Sequence, residues 1–479
     1  MDYTAFSTSA RDPSADNLKF ARVAAAVYAG VLGLALLLAV WRMPIGLSEV
    51  VGVLENVETQ PLSELVHGSA EYVRPLFWMT VAAVWRGAPT ASGALDAFRV
   101  LHVLSVAALL FVFVGACRLR HSADWIAVAV AMPVLIGTSA FRENLESLPL
   151  NPTIFACILA LAACRLTEAP RRHWHDAAAV LLSVLAVGAK EQGLVVPAIF
   201  ITAAFLGAPG ISRRVAWALL IASACYGAVR LLGADDIPVF MRSLGYGYSE
   251  LSEAEVYERF GAAPWVAYAY NMGATIGNVL FGEPSRGILM WTRRVTQDPV
   301  APWMIVQALA YLGALVMAGV WAATAVIDRS AARASDRRAA LVFVAALIVC
   351  TVLAFNYTRD RMAGPAAAVY ALIVFRATSW WLAHYSRAGL FRQACAAAVL
   401  LLTASAWQVR AGGTLYYAHD TAWELRKEWL VDLGDRQRRF VGRDRFLTIM
   451  SQMRRQGSDA SIPATPLPKW ATPWVEYRW

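Results

Sequence analysis

Eleven apolar stretches divide the chain, at about 20–42, 98–119, 124–140, 152–166, 175–188, 194–208, 215–232, 302–326, 339–356, 365–382 and 394–408. A helix needs roughly 20 apolar residues to cross a hydrocarbon core, and each stretch is predicted to be a span. The predicted fold class is an all-α polytopic membrane protein, a bundle of about 11 transmembrane helices with a long first external loop. No small-residue cleavage site follows the first stretch, so it is expected to stay as a helix. Two long polar interruptions stand out, 43–97 and 234–300. The second contains a weaker apolar run at 262–281, with Asn271 and Asn278, that reads as a re-entrant or interface-lying helix.

The short loops alternate in charge. Arg11, Lys19 and Arg22 flank the first stretch. Arg118, Arg120 and His121 follow the second, Arg165, Arg171 and Arg172 the fourth, and Arg213 and Arg214 the sixth. The loop IDRSAARASDRR and then Arg387 and Arg392 continue the series. Cytoplasmic loops are the basic ones, so 1–19 is expected in the cytoplasm and 43–97, 234–300 and the 409–479 tail outside, with 20–408 as the membrane domain.

Composition agrees with that class. The chain is 58% hydrophobic and 16% charged, against 45–50% and about 25% in soluble domains. The net charge of +9 is accounted for by loop arginines and does not imply nucleic acid as a partner. Six cysteines lie in or beside apolar runs without metal-ligand spacing, which predicts buried apolar roles.

Candidate chemistry collects on the expected outer side. Lys190, Glu191 and Gln192 interrupt two apolar runs with a turn, and charges at a membrane boundary are seldom idle. Arg359 and Arg361 flank Asp360 where the charge bias disfavours arginine, and a guanidinium fork suits phosphate oxygens. With Arg230 near the end of the seventh stretch, Lys190, Arg359 and Arg361 form a candidate cradle for a lipid phosphate. In the first loop, Glu49 lies at membrane level amid apolar neighbours, where desolvation suits a carboxylate to be a general base. The other acids of that loop read as the solvated faces of short helices, and His67 and His102 as structural.

Several motifs resemble membrane glycosyltransferases of the GT-C fold that use a polyprenyl-phosphate sugar donor, especially the protein O-mannosyltransferases with tetratricopeptide tails. SEVVGVLENVETQPLSEL and then EYVRPLFW match that family's order after its first helix, bringing in Tyr72 and Arg74. Lys190-Glu191-Gln192-Gly193 matches its Lys-Glu-Gln-Gly turn, and Asp360-Arg361-Met362 with Pro365 matches its Glu-Arg-Tyr-x-x-x-Pro. Its acid after the third helix falls on Glu143 or Glu146. Two departures are plain: Ser48-Glu49 replaces the paired acids, and the tail carries no tetratricopeptide pattern.

The resemblance implies a GT-C-like bundle and inverting transfer of a sugar from a polyprenyl-phosphate donor to an acceptor hydroxyl of a glycan, lipid or protein. Glu49 takes the hydroxyl proton in that scheme. Lys190, Arg361, Arg230 and Arg359 hold the leaving phosphate, with Glu143, Glu146, Glu191, Gln192, Arg74 and Tyr72 in support. A divalent metal on Glu49 with Glu143 or Glu146 is compatible with this scheme and not required by it. The alanine- and arginine-rich composition points to a bacterial inner membrane with a periplasmic site. Two alternatives stand beside it: a transporter or flippase of a lipid-linked sugar, and an inactive relative that acts as an assembly partner.

Overall fold

The computed structural model describes residues 15–43, 48–67, 74–146, 152–232, 244–246, 249–251, 253–261, 264–281, 302–328, 330, 333–386 and 388–439. Helices dominate it. The first long helix, α1 (Ala15–Trp41), leads into α2 (Ser48–Thr59), α3 (Leu62–His67) and α4 (Pro75–Gly87). The first polar interruption is thus three short helices. They bury Leu54, Val57, Leu65, Val81 and Trp85 against one another, while Glu58 and Glu64 stay exposed. Trp85 Nε1 donates to Glu58 at 2.8 Å, and Arg99 Nη1 closes the base of the loop by donating to the Trp41 carbonyl at 2.7 Å.

Next come α5 (Ala91–Cys117), α6 (Asp124–Gly137), α7 (Ser139–Glu146), α8 (Pro152–Thr167), α9 (His175–Ala189), α10 (Val195–Phe205) and α11 (Arg213–Leu232). The second interruption supplies α12 (Glu253–Phe260) and α13 (Pro264–Leu280), so the weak apolar run is a helix. Asn271 and Asn278 are its buried face. The remaining helices are α14 (Pro302–Ile327), α15 (Ala334–Leu353), α16 (Gly364–Tyr385) and α17 (Leu390–Arg439). One small sheet joins distant segments: β1 (Gly245–Tyr246) pairs antiparallel with β2 (Ser249–Glu250) and parallel with β3 (Tyr357–Thr358).

Helix α16 is central. Every side chain from Gly364 to Phe375 is buried, and it packs on α6, α8, α14 and α15. Peripheral α1 exposes Phe20, Val23, Val27, Val31 and Leu34 instead. Apolar surface of that extent suits hydrocarbon as the surrounding solvent.

Helix length and composition account for part of the expected eleven spans. Among the described residues four helical segments are long and apolar enough to cross a membrane: Leu18–Trp41, Gly93–Cys117, Asp360–Tyr385 and Leu390–His419. A fifth arises if the bent pair Asp124–Gly137 and Ser139–Leu145, kinked by 64°, counts as one span. Pro152–Thr167, His175–Ala189, Glu191–Phe205 and Tyr311–Ile327 are apolar but shorter, below the ~20 residues a straight crossing needs.

Two further differences matter for function. The expected external loop after the third stretch is instead α7, folded back into the protein with Arg142, Glu143 and Asn144 buried. The expected boundary at 408 falls inside α17, which runs unbroken to Arg439.

Charge separates to the two ends of the bundle. Thr153, at the start of α8, meets Lys190, while Glu168, just past its end, binds Arg338. Fifteen residues of helix put those ends about 22 Å apart. The loops expected on one side, around 118–121, 165–172 and 328–338, do share one end.

Glu168 there is held below the ordinary carboxylate range. Burial is the largest influence and pushes it up, but hydrogen bonds from Arg338 and Ser335 and the charge of Arg376 together outweigh it. A carboxyl depressed on folding contributes stability above its unfolded value, and loses it as pH falls through the folded one. Thermal unfolding followed downward from neutral pH should therefore show an acid-side loss that is smaller in Glu168→Gln.

Candidate functional site

The site is built where α6 stops. Pro133 lies inside α6, and at Gly137 the chain comes so close to α17 that a Cβ would sit 3.0 Å from the Trp407 ring. The axis turns there and α7 begins. Arg410 of α17 is buried, donates through Nε to the Gly137 carbonyl, and lies over the Tyr311 ring with 4.0 Å to its centroid. The end of α6 is thus satisfied by a side chain in place of the next helical turn.

Helix α7 lies against a 3₁₀ turn, Asp360–Ala363, that precedes α16. Two adjacent residues on each meet reciprocally. Arg142 Nη2 donates to Asp360 Oδ2 at 3.2 Å, and Arg359 Nε donates to Glu143 Oε1 at 2.7 Å. The other Glu143 oxygen accepts the Arg361 backbone N–H at 2.8 Å, and the Arg361 guanidinium lies 3.7 Å from Oε1. The turn is fixed from its other side as well. Asn271 Nδ2 donates to the carbonyls of Gly245 and Phe355, and the Thr275 and Thr358 hydroxyls are 2.8 Å apart.

The Lys-Glu-Gln-Gly turn meets the same region. Its 3₁₀ segment, Glu191–Leu194, is buried at Glu191, Gln192 and Gly193. Glu191 accepts both arms of Arg74, Nε and Nη2, at 2.9 Å each. Gly193 has no room for a side chain, since a Cβ would lie 2.0 Å from the Ala186 carbonyl oxygen. Lys190 is buried and donates to Thr153 Oγ1 at 3.1 Å. Thr153 in turn packs on Gly364, where a Cβ would lie 2.9 Å from both Thr153 Cγ2 and the Asn144 amide nitrogen. Gly364 is three residues beyond Arg361, so the two turns are neighbours across the ends of α7, α8 and α16.

Of the residues expected from sequence, Lys190, Glu191, Gln192, Arg74, Glu143, Arg359 and Arg361 therefore gather at one end of the bundle. Arg359 arrives already paired with Glu143, and Glu143 serves two arginines. Glu49 is the second residue of α2. The side chains of Glu49, Glu146 and Arg230, and Tyr72 entire, lie outside the described residues. His102 is buried in α5.

Three participants are not among the residues expected from sequence. Arg142 adjoins Glu143 and lies, like Arg359, on the expected outer side where arginine is disfavoured, a signal that points to it. Arg410 follows the last apolar run by two residues and so falls in the expected tail, and Thr153 carries no charge.

Six cationic side chains, Arg74, Arg142, Lys190, Arg359, Arg361 and Arg410, meet three carboxylates, Glu143, Glu191 and Asp360, in this region. No cluster of three metal-ligating side chains occurs among the described residues. No protein-family model matches the chain, and no curated protein or solved structure matches it.

Proposed function

We propose that the protein is a GT-C-like membrane glycosyltransferase that moves a sugar from a polyprenyl-phosphate donor to an acceptor hydroxyl. The observation that carries this reading is the gathering of buried cationic groups around α7 from segments more than 200 residues apart in sequence, as in the Arg142–Asp360 and Glu143–Arg359 pairs. A donor whose leaving group is a lipid phosphate needs positive charge placed before reaction begins, at membrane depth. Lys190 and Arg361 are the assigned phosphate ligands, with Arg359 and Arg230 also given that role. Arg142 and Arg410 add to the positive field. Glu49 removes the acceptor proton as that oxygen attacks, and the anomeric centre inverts. Glu143, Glu191, Asp360, Gln192 and Arg74 set the cationic groups in position.

On this reading the bundle completes about eleven crossings, several by helices shorter than a straight span. The arginine-rich end faces the cytoplasm and the site faces the periplasm of a bacterial inner membrane.

The test is transfer from a polyprenyl-phosphate sugar by the purified chain in detergent. Glu49→Gln should lower turnover by about 10²- to 10⁴-fold, the usual worth of a general base, with donor affinity kept. Unchanged turnover in that variant removes Glu49 from the mechanism, and a wild-type chain that binds donor but never transfers sugar removes the enzyme.

One observation favours a second reading. The kinked α6–α7 pair, with ionised groups buried in its second half, is the broken-helix device that transporters use at substrate sites. A flippase moves the lipid-linked sugar between leaflets of a proteoliposome and leaves its glycosidic bond intact.

A further inference from the structure

The end of the bundle away from α7 carries a second concentration of charge. Arg118, Arg165, Arg333, Arg337, Arg338 and Arg376 come together there from the ends of α5 and α8, the start of α15, and α16. Among the described residues the carboxylates beside them include Glu168, Asp328 and Asp336, and Asp124, which accepts the Arg120 and His121 backbone N–H groups. Glu168 accepts two bonds from Arg338 at 3.2 Å and one from Ser335 at 2.6 Å. Arg376 donates to both oxygens of Ser335, although it sits within an apolar helix.

Arg118 is the unusual member. It caps α5 with a left-handed backbone, φ 46°, and is the one non-glycine with positive φ among the described residues. Glycine is the ordinary occupant of such a cap because a Cβ is strained there. Strain retained at one position is grounds for seeking a function. Its guanidinium donates to the Glu168 and Arg165 carbonyls at 2.7 and 3.2 Å, so it neutralises no carboxylate through those bonds, and its Nε is buried with no hydrogen-bond partner. Burial first, and then the neighbouring Arg165, pull the group down to about 10, as expected in a field already positive.

Apolar surface begins directly beside these cations. Leu341, Val344 and Ile348 are exposed on α15, at spacings of three and four residues that make one stripe. Leu341 follows Arg337 by four residues and Arg338 by three, which puts the stripe one turn below the arginines. A headgroup-binding cluster above a hydrocarbon-facing stripe fits one amphiphile. The geometry points to a binding site for the phosphate of an anionic phospholipid, held among the arginines around Glu168 with its chains along that stripe. Arginine forks match phosphate oxygens in pairs, and basic recesses between helices on this side of a membrane suit such lipids.

The test is native mass spectrometry of the full chain after delipidation in detergent, titrated separately with phosphatidylglycerol, phosphatidylcholine of the same chains, and inorganic phosphate. Phosphatidylglycerol should stay bound as a discrete one-to-one adduct at activation energies that strip phosphatidylcholine. Arg118→Gly, which relieves the left-handed backbone, and Arg165→Gln, at an exposed side chain, should each weaken that adduct about tenfold, the scale of one charge-assisted hydrogen bond. Arg86→Gln, an exposed side chain near the opposite end of α5, should leave it unchanged. Equal retention of the two lipids, equal capture of inorganic phosphate, or a loss in Arg86→Gln matching that in Arg118→Gly would each overturn the site.

Discussion

Glu143→Gln should cost about 3–5 kcal/mol of stability, the usual penalty for removing one partner of a buried ion pair. The carboxylate is the meeting point of Arg359 and Arg361, and all three groups are largely withdrawn from solvent. Without it, two guanidinium groups lie close together in a medium that screens them poorly. The Arg361 backbone N–H keeps an acceptor in the amide oxygen, so the loss is one of charge more than of hydrogen bonding. The double variant Glu143→Met with Arg359→Met should recover most of that cost, because an apolar pair of similar volume often replaces a buried ion pair without penalty. Thermal unfolding of both in detergent checks the claim. The same pair of variants also separates two roles for Arg359. A double variant that is stable and still binds donor assigns Arg359 to the scaffold alone, whereas one that is stable and no longer binds assigns it to the phosphate.

Gly193→Ala should prevent the Lys-Glu-Gln-Gly turn from forming and leave little monodisperse protein. The added carbon would sit 2.0 Å from the Ala186 oxygen and 2.1 Å from its carbonyl carbon. Both are backbone atoms of α9, with no flexible side-chain end that can move aside. Relief requires separating the turn from the last turn of α9, which also carries Lys190 away from Thr153 and Glu191 away from Arg74. The control lies five residues earlier. At Gly188 a Cβ would meet Leu76 at 3.7 Å and Pro75 at 3.8 Å, ordinary contact distances, so Gly188→Ala should express and elute like the wild type. Size-exclusion profiles of the two variants, purified side by side, decide the matter. A normal profile for Gly193→Ala would mean that the turn is not bound as closely to α9 as described.

The helices were legible in the sequence because hydropathy reports them directly. The apolar run at 302–326 became Pro302–Ile327, and that at 365–382 became Gly364–Tyr385. What hydropathy does not report is where a polar segment goes. FRENL and KEQG have the composition of exposed loops, yet both are buried. Their polarity is met by partners 37 to 218 residues away along the chain, as in Lys190–Thr153 and Arg142–Asp360. Such pairing is non-local, and no window of sequence contains both halves of it.

Helix length alone does not confirm the crossing count, for a related reason. Fifteen apolar residues suffice for a helix packed among other helices, which needs no lipid on all sides. The last helix outran its apolar stretch because TLYYAHDTAWELRKEWL is rich in helix formers and has no proline, so amphipathic helix continued where the hydrocarbon pattern ended. Within the candidate site, the residues that gather are marked in the sequence by their chemistry: arginine and lysine on the expected outer side. Applied to every residue, that mark takes in Arg142 as well.

Binding of a polyprenyl phosphate to the purified full chain, compared between wild type and Lys190→Gln, tests the central claim most directly. Lys190 is buried at the junction of α8 and the Lys-Glu-Gln-Gly turn, where its ammonium donates to the Thr153 hydroxyl, a partner to which a glutamine amide can also donate. The account predicts saturable binding by the wild type and affinity about tenfold or more weaker in a variant that still unfolds at a similar temperature. Equal affinity in the two proteins, or no binding by the wild type, would contradict it.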